Sequence, residues 1–204
     1  MLFSSRLILS VASTLALTFL LVACTSTPTS TEVTSEMLLA KPPLDWQLVY
    51  QMNNISTRLS EFVPPDETNT EWTSRLSLES FKELVGSDPV ETLLSEVTHD
   101  QQDCNFVQHF NLFSGFENGF PVSVRLFLCG ESTNSGKGEI KMAKAIAGND
   151  YFYLLKLLKQ IEPFEPNQPD FAREEIAAWS TYFRSISLCD GNKPEHPCSD
   201  RESE

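Results

Sequence analysis

Little in this chain supports chemistry on phosphates or metals. Its eight glycines are scattered through 204 residues, and none forms a phosphate-cradling loop. Three histidines, His99, His109 and His196, share no metal-ligand spacing. No Gly-x-Ser-x-Gly elbow occurs, and Ser114-Gly115 reads as a turn rather than an activated nucleophile. Basic residues are few, 15 Lys and Arg against 28 Asp and Glu, and a chain this acidic repels nucleic acid as a whole. One apolar run is long, Leu7 to Leu21, and it falls short of the ~20 residues of a stable membrane span. Carboxylates abound, so counting does not exclude a paired-carboxylate hydrolase; that chemistry depends on a separation in space.

What is present begins with an export signal. Met1 to Arg6 carries one positive charge and no negative one, the apolar run follows, and it ends at Leu21-Val22-Ala23-Cys24. Charge, apolar stretch and small residues are the layout of a secretory signal. The Leu-Val-Ala-Cys stretch resembles the lipobox of bacterial lipoproteins. The resemblance implies a diacylglyceryl thioether on Cys24, cleavage after Ala23 and acylation of the new amine. Two or more acyl chains hold a protein stably where one holds it marginally. Thr25, where the family's sorting pattern places aspartate for retention, implies the outer membrane, with the protein lipid-anchored in the cell envelope and facing the periplasm.

The expected organisation is a signal peptide at 1–23, a flexible tether at 24–43 rich in Ser, Thr and Pro, one domain at 44–190, and a disulfide loop with a disordered acidic tail at 191–204. Without the signal, 14 basic residues face 28 acidic ones, a net charge of −14. Residues 121–160 run against this trend. Arg125, Lys137, Lys141, Lys144, Lys156 and Lys159 oppose Glu131, Glu139 and Asp150. Such a stretch reads either as solvated lysines on the outer face of strands or as a basic face for an anionic partner.

Besides Cys24 there are four cysteines, and an even count in an oxidising compartment suggests two disulfides. A hairpin centred between Phe116 and Glu117 sets Cys104 opposite Cys129, and an opposed pair suits a cross-strand bridge. Cys189 and Cys198 then close a small loop. Chain entropy assigns the larger loop about 3.5 kcal/mol and the smaller about 2.7 kcal/mol. Zinc on Cys189, His196 and Cys198 is the rival reading, but their spacing matches no common zinc framework. No cofactor is expected.

Hydrophobic alternation predicts strands at Trp46–Gln51, Ser56–Val63, Arg75–Ser80, Asp103–Leu112, Pro121–Cys129, Glu139–Ala147 and Tyr151–Leu158. Asp88-Pro89 caps a helix bearing Val90, Leu93, Leu94 and Val97 on one face. A closing helix is predicted over about Phe171–Leu188, burying Ile176, Trp179, Phe183 and Ile186. These elements describe an α+β fold, a mostly antiparallel sheet of six to seven strands packed with two helices.

The segment Glu61-Phe62-Val63-Pro64 … Glu67-Thr68 … Glu71-Trp72-Thr73 … Leu78 resembles a recurring segment in exported proteins of Gram-negative bacteria that carry no assigned activity. The layout also resembles the Mog1/PsbP type of α/β/α sandwich, whose members are mostly binding or assembly factors. That likeness implies no catalytic residues.

One stretch stands out for function. His109 to Phe120 places four phenylalanines in a hairpin end. Exposed, Phe113, Phe116 and Phe120 would form a binding patch for a partner, lipid or apolar ligand; folded back, they would cap the core. The leading expectation is a non-enzymatic binding or assembly module on a lipid tether. A small envelope hydrolase and an apolar-ligand carrier are the alternatives.

Overall fold

The computed structural model describes residues 35–166 and 172–198. The signal peptide, Cys24, most of the expected tether and the tail from 199 lie outside the described residues, as does Phe171.

Nine strands and two helices form among the described residues. Strands β2 (Gln47–Asn53), β3 (Thr57–Val63), β4 (Ser74–Phe81), β5 (Val107–Glu117), β6 (Phe120–Cys129), β7 (Gly138–Ala147) and β8 (Phe152–Ile161) build one sheet in the order β2-β3-β4-β8-β7-β6-β5. Every neighbouring pair is antiparallel. Helix α1 (Pro89–Asp103) lies on one face and α2 (Arg173–Ser185) on the other. This is the α+β sandwich that the sequence pattern predicts.

Alternation along the central strands sorts the two faces. Val122, Val124, Leu126 and Leu128 of β6, with Ile140, Met142 and Ile146 of β7, join Phe183 and Ile186 in the α2-side core. Phe127, Ala143, Ala145, Phe152 and Leu154 meet Leu93 and Val97 of α1 on the other side. Asp88 accepts from the Val90 and Glu91 amides, and Pro89 follows at the first turn, the start that Asp-Pro predicts.

The end of the expected tether is part of the fold. Strand β1 (Glu36–Leu39) pairs antiparallel with β9 (Ser187–Asp190), so the fold includes residues that precede 44. The sequence signal was masked because only one side chain of β1, Glu36, is buried outright. Its carboxylate accepts from the backbone amides of Asn149, Asp150 and Tyr151 in the β7–β8 turn, at 2.7, 3.3 and 3.3 Å. Gly148 makes room for it: a Cβ there would stand 2.4 Å from Glu36 Oε1. The closing helix also differs from its expected span. It ends at Ser185, Ile186 is extended, and Leu188 belongs to β9.

Both expected disulfides are present, Cys104–Cys129 and Cys189–Cys198, with Cα atoms 5.6 and 4.9 Å apart. The register argument for the first is corrected. The hairpin turns at Asn118-Gly119, both with positive φ, the conformation that matches strand twist in a two-residue turn. An extra residue at Leu112 bulges β5, and Val107 rather than Cys104 stands opposite Cys129. Cys104 instead caps the C-terminus of α1, so the bridge pins that helix end to β6. The Cys189–Cys198 loop, expected outside the domain, lies against it. His196 stacks on Phe120 at 4.1 Å between ring centroids and its Nδ1 contacts the Asn118 carbonyl at 2.8 Å.

Replacing Glu36 with Ala strips three amides of a charged acceptor. We expect a loss of about 2 kcal/mol or more, a melting temperature lower by roughly 4–8 °C, measured by thermal unfolding of the full chain.

Candidate functional site

The structure divides the three phenylalanines of the expected patch. Phe120 is 2% exposed and belongs to the core, so it is no part of a binding surface. Its pairing with Glu117 across the turn points it toward α2, where the His196 ring covers it. Phe113 is 39% exposed and Phe116 72%. They stand on opposite faces, because Phe113 pairs with Val124 and Phe116 with Pro121.

Phe113 does not act alone. Strand β5 is an edge of the sheet, and Phe110, Leu112 and Phe113 are all exposed along it. Without the bulge, Leu112 and Phe113 would point to opposite faces. With it, both line a groove of about 520 Å³ between β5 and α2, floored by Val124 and Phe183 and bordered by Ser180, Glu117 and Arg184. Bulges commonly re-aim a side chain in this way beside functional sites. From Val107 to Phe116 the strand carries no Lys, Arg, Asp, Glu or Pro, the residues that usually protect an edge from pairing. Strand β2, the opposite edge, also lacks them but is shorter, seven residues against eleven.

The groove owes its shape to Lys144. This lysine of β7 is fully buried. Its ammonium donates to the carbonyls of Phe183 and Ile186 at 2.9 and 2.7 Å and to the carboxylate of Glu117. Three donors meet three acceptors. Two belong to the C-terminus of α2, where a cation is favourable, and the third to the end of β5. Lys144 therefore sets the spacing of the groove's two walls. Neither Lys144 nor Glu117 shows a distinctive sequence signal, since Lys144 shares its strand with Glu139 and Lys141.

Most of the basic stretch at 121–160 is not a solvated face, although Lys137 is exposed, pairing with Glu162 at 3.4 Å. Arg125, Lys141 and Lys144 are buried. Lys141 pairs with Glu96 and Asp100 of α1 at 3.2 and 2.8 Å, Lys156 with Glu79 at 3.0 Å, and Lys159 with Glu175 of α2 at 2.7 Å. Lys141 and Lys159 thus meet acidic residues brought by α1 and α2, and Lys156 meets one from β4. Burial raises the Glu79 carboxyl above its ordinary range, with Lys156 opposing. At Glu96 burial acts in the same sense, but Lys156 and Lys141 prevail and hold it below.

A hydrolytic arrangement is not assembled among the described residues. Glu36 and Glu79 both border a cavity of about 420 Å³, yet the sheet separates their carboxylates. Glu79 pairs with Lys156 on the α1 face, while Glu36 reaches the β7–β8 turn from β1. His109 Nδ1 contacts Arg125 Nη1 at 3.2 Å rather than a carboxylate, and Ser114 bonds Asn111 at 3.1 Å rather than a histidine. His99 is exposed on α1. No group of three His, Cys, Asp or Glu gathers in metal-holding geometry among the described residues, and no described helix is long and apolar enough to cross a membrane. The chain matches no protein-family model and no curated protein.

Replacing Lys144 with Met leaves Glu117 without its cation and two helix carbonyls without a donor. We expect a loss of about 3–5 kcal/mol, read from urea unfolding, with part of it restored when Glu117 is changed to Gln in the same chain.

Stability should also fall on the alkaline side. Burial raises the Tyr153 hydroxyl, Glu36 adding to it, and burial alone raises Tyr182. Lys156 is lowered by burial but lifted further by Glu79 and Glu96, and its net shift is upward. Each group keeps its proton longer in the folded chain, so its stabilisation is whole below its unfolded value, about 10 to 10.5, and lost as pH rises above it. Unfolding free energy should decline above about pH 10, and the Tyr153→Phe, Tyr182→Phe pair should flatten that decline.

Proposed function

We propose that this chain is a lipoprotein of the cell envelope, held by lipid on Cys24 at the outer membrane and facing the periplasm, whose domain is a non-enzymatic binding module. Its occupant is an extended polypeptide segment of an envelope partner, added as a strand along β5. The observation that carries the reading is the β5 edge itself: eleven residues long, uncharged from Val107 to Phe116, and flanked by an apolar groove. Main-chain hydrogen bonds along such an edge supply affinity, and a side pocket supplies selectivity. Leu112, Phe113, Val124 and Phe183 would take an apolar side chain of the partner, with Arg184 at the rim. The two disulfides support an oxidising compartment, and the lipobox resemblance supports the anchor.

A small apolar ligand in the same groove is the second reading, favoured by the groove's volume, which falls in the ~300–1,000 Å³ range of ligand sites.

The test is photo-crosslinking in native envelopes with benzoylphenylalanine at Phe110, and at Tyr50 on β2 for comparison. The expected result is a discrete protein adduct at 110 that is absent at 50 and greatly reduced by Leu112→Asp. An adduct yield at 110 no greater than at 50, or one indifferent to Leu112→Asp, contradicts the proposal. A lipid adduct that depends on Leu112 would favour the second reading instead.

A further inference from the structure

The first described residues and two strongly exposed apolar side chains, Phe116 and Ile55, share one end of the sheet. Register places the β2–β3, β5–β6 and β7–β8 turns together: Thr57 stands opposite Phe81, Phe81 opposite Phe152, Phe152 opposite Ala147, and Ile146 opposite Val122. The chain enters the domain at this same end. Ser35 hydroxyl donates to the Asp190 carboxylate, the Asp190 amide to the His196 carbonyl at 2.8 Å, and His196 contacts Asn118 of the β5–β6 turn. Phe116, beside that turn, is 72% exposed, and Ile55 of the β2–β3 turn is 89% exposed.

From Cys24 to Ser35 the chain advances eleven residues. Fully extended, that length spans at most about 40 Å, and a flexible coil of that length averages about 18 Å. A lipid on Cys24 would therefore hold the domain through this end.

Charge does not oppose the approach as strongly as the net value suggests. Glu117 is paired with Lys144, Asp190 with Lys193 at 3.5 Å, and Glu36 is bound by three amides. Asp150, Glu195 and, in the loop after β4, Glu83 and Asp88 remain at this end, with exposed Arg58 and Lys82 among them. The contact would be apolar, through rings and aliphatic groups at the interface.

We propose that this turn-bearing end of the sheet rests on the lipid surface that carries Cys24, with Phe116 and Ile55 as the side chains that enter it. The inference rests on acylation of Cys24. It orients the module: strand β5 then rises from the bilayer, with Phe116 at the lipid, the groove residues Phe113 and Leu112 farther from it, and Phe110 farther still.

The test uses the full acylated protein in phosphatidylcholine vesicles, with benzoylphenylalanine placed at 116, at 55, or at Leu44. Leu44 is 88% exposed and precedes β2, whose start lies at the far end of the sheet. Intact mass first reports whether Cys24 carries its acyl groups. An unacylated Cys24 overturns the anchor reading and this inference with it. With acylation present, lipid adducts at 116 and 55 should exceed those at 44 several-fold. Equal yields at the three positions would overturn the resting surface alone and leave the anchor standing. The substitutions are at exposed sites, so the fold should survive them, and unchanged thermal unfolding checks this.

Discussion

A lysine ammonium in the middle of an apolar core is costly unless every donor finds an acceptor. Lys144 meets that requirement with the last carbonyls of α2 and the carboxylate of Glu117. The consequence is geometric. The helix end and the β5 end are held at the distance that one ammonium bridges, and the space left between them is the groove. An apolar residue at 144 would let α2 settle directly on the sheet, and Leu112 and Phe113 would lose the wall they face. The pair also neutralises Glu117 at the border of the apolar groove.

The same device recurs on the other face at lower depth. Lys141 and Lys156 meet Glu96, Asp100 and Glu79 where α1 crosses the sheet. At Lys141 and at Lys159 a helix brings the acid and a central strand the base, so each helix is fixed in position as well as buried, whereas Lys156 meets Glu79 of β4. Such pairs add little net stability, but a sheet with both faces otherwise apolar would accept a helix at several angles. Registration is the role that the charges can fill.

Much of the scaffold was legible from period and punctuation. Alternation marked the strands, Asp88-Pro89 marked the start of α1, and cysteine parity gave the two bridges. Three things were not legible. Strand β1 carries one buried carboxylate where a strand signal needs apolar alternation, and its partners are backbone amides, which sequence does not display. The bulge at Leu112 shifts register by one residue, so the symmetric hairpin count paired the right cysteines for the wrong reason. The groove depends on contacts between residues 27 to 42 positions apart along the chain. Lys144 reads as one of a set of surface lysines because it shares its strand with Glu139 and Lys141. The phenylalanine cluster was visible as a composition, but which rings were core and which were exposed was decided by the turn at Asn118-Gly119.

The account stands on β5 being an occupied edge in its native setting rather than a bare one. Amide hydrogen exchange on the full chain addresses this directly, comparing native membranes with the protein purified in detergent. The account predicts that backbone amides between His109 and Phe116 that exchange rapidly in detergent are slowed by at least an order of magnitude in the membrane, while those of β2 are unchanged. Equally rapid exchange of the β5 amides in both settings would contradict it.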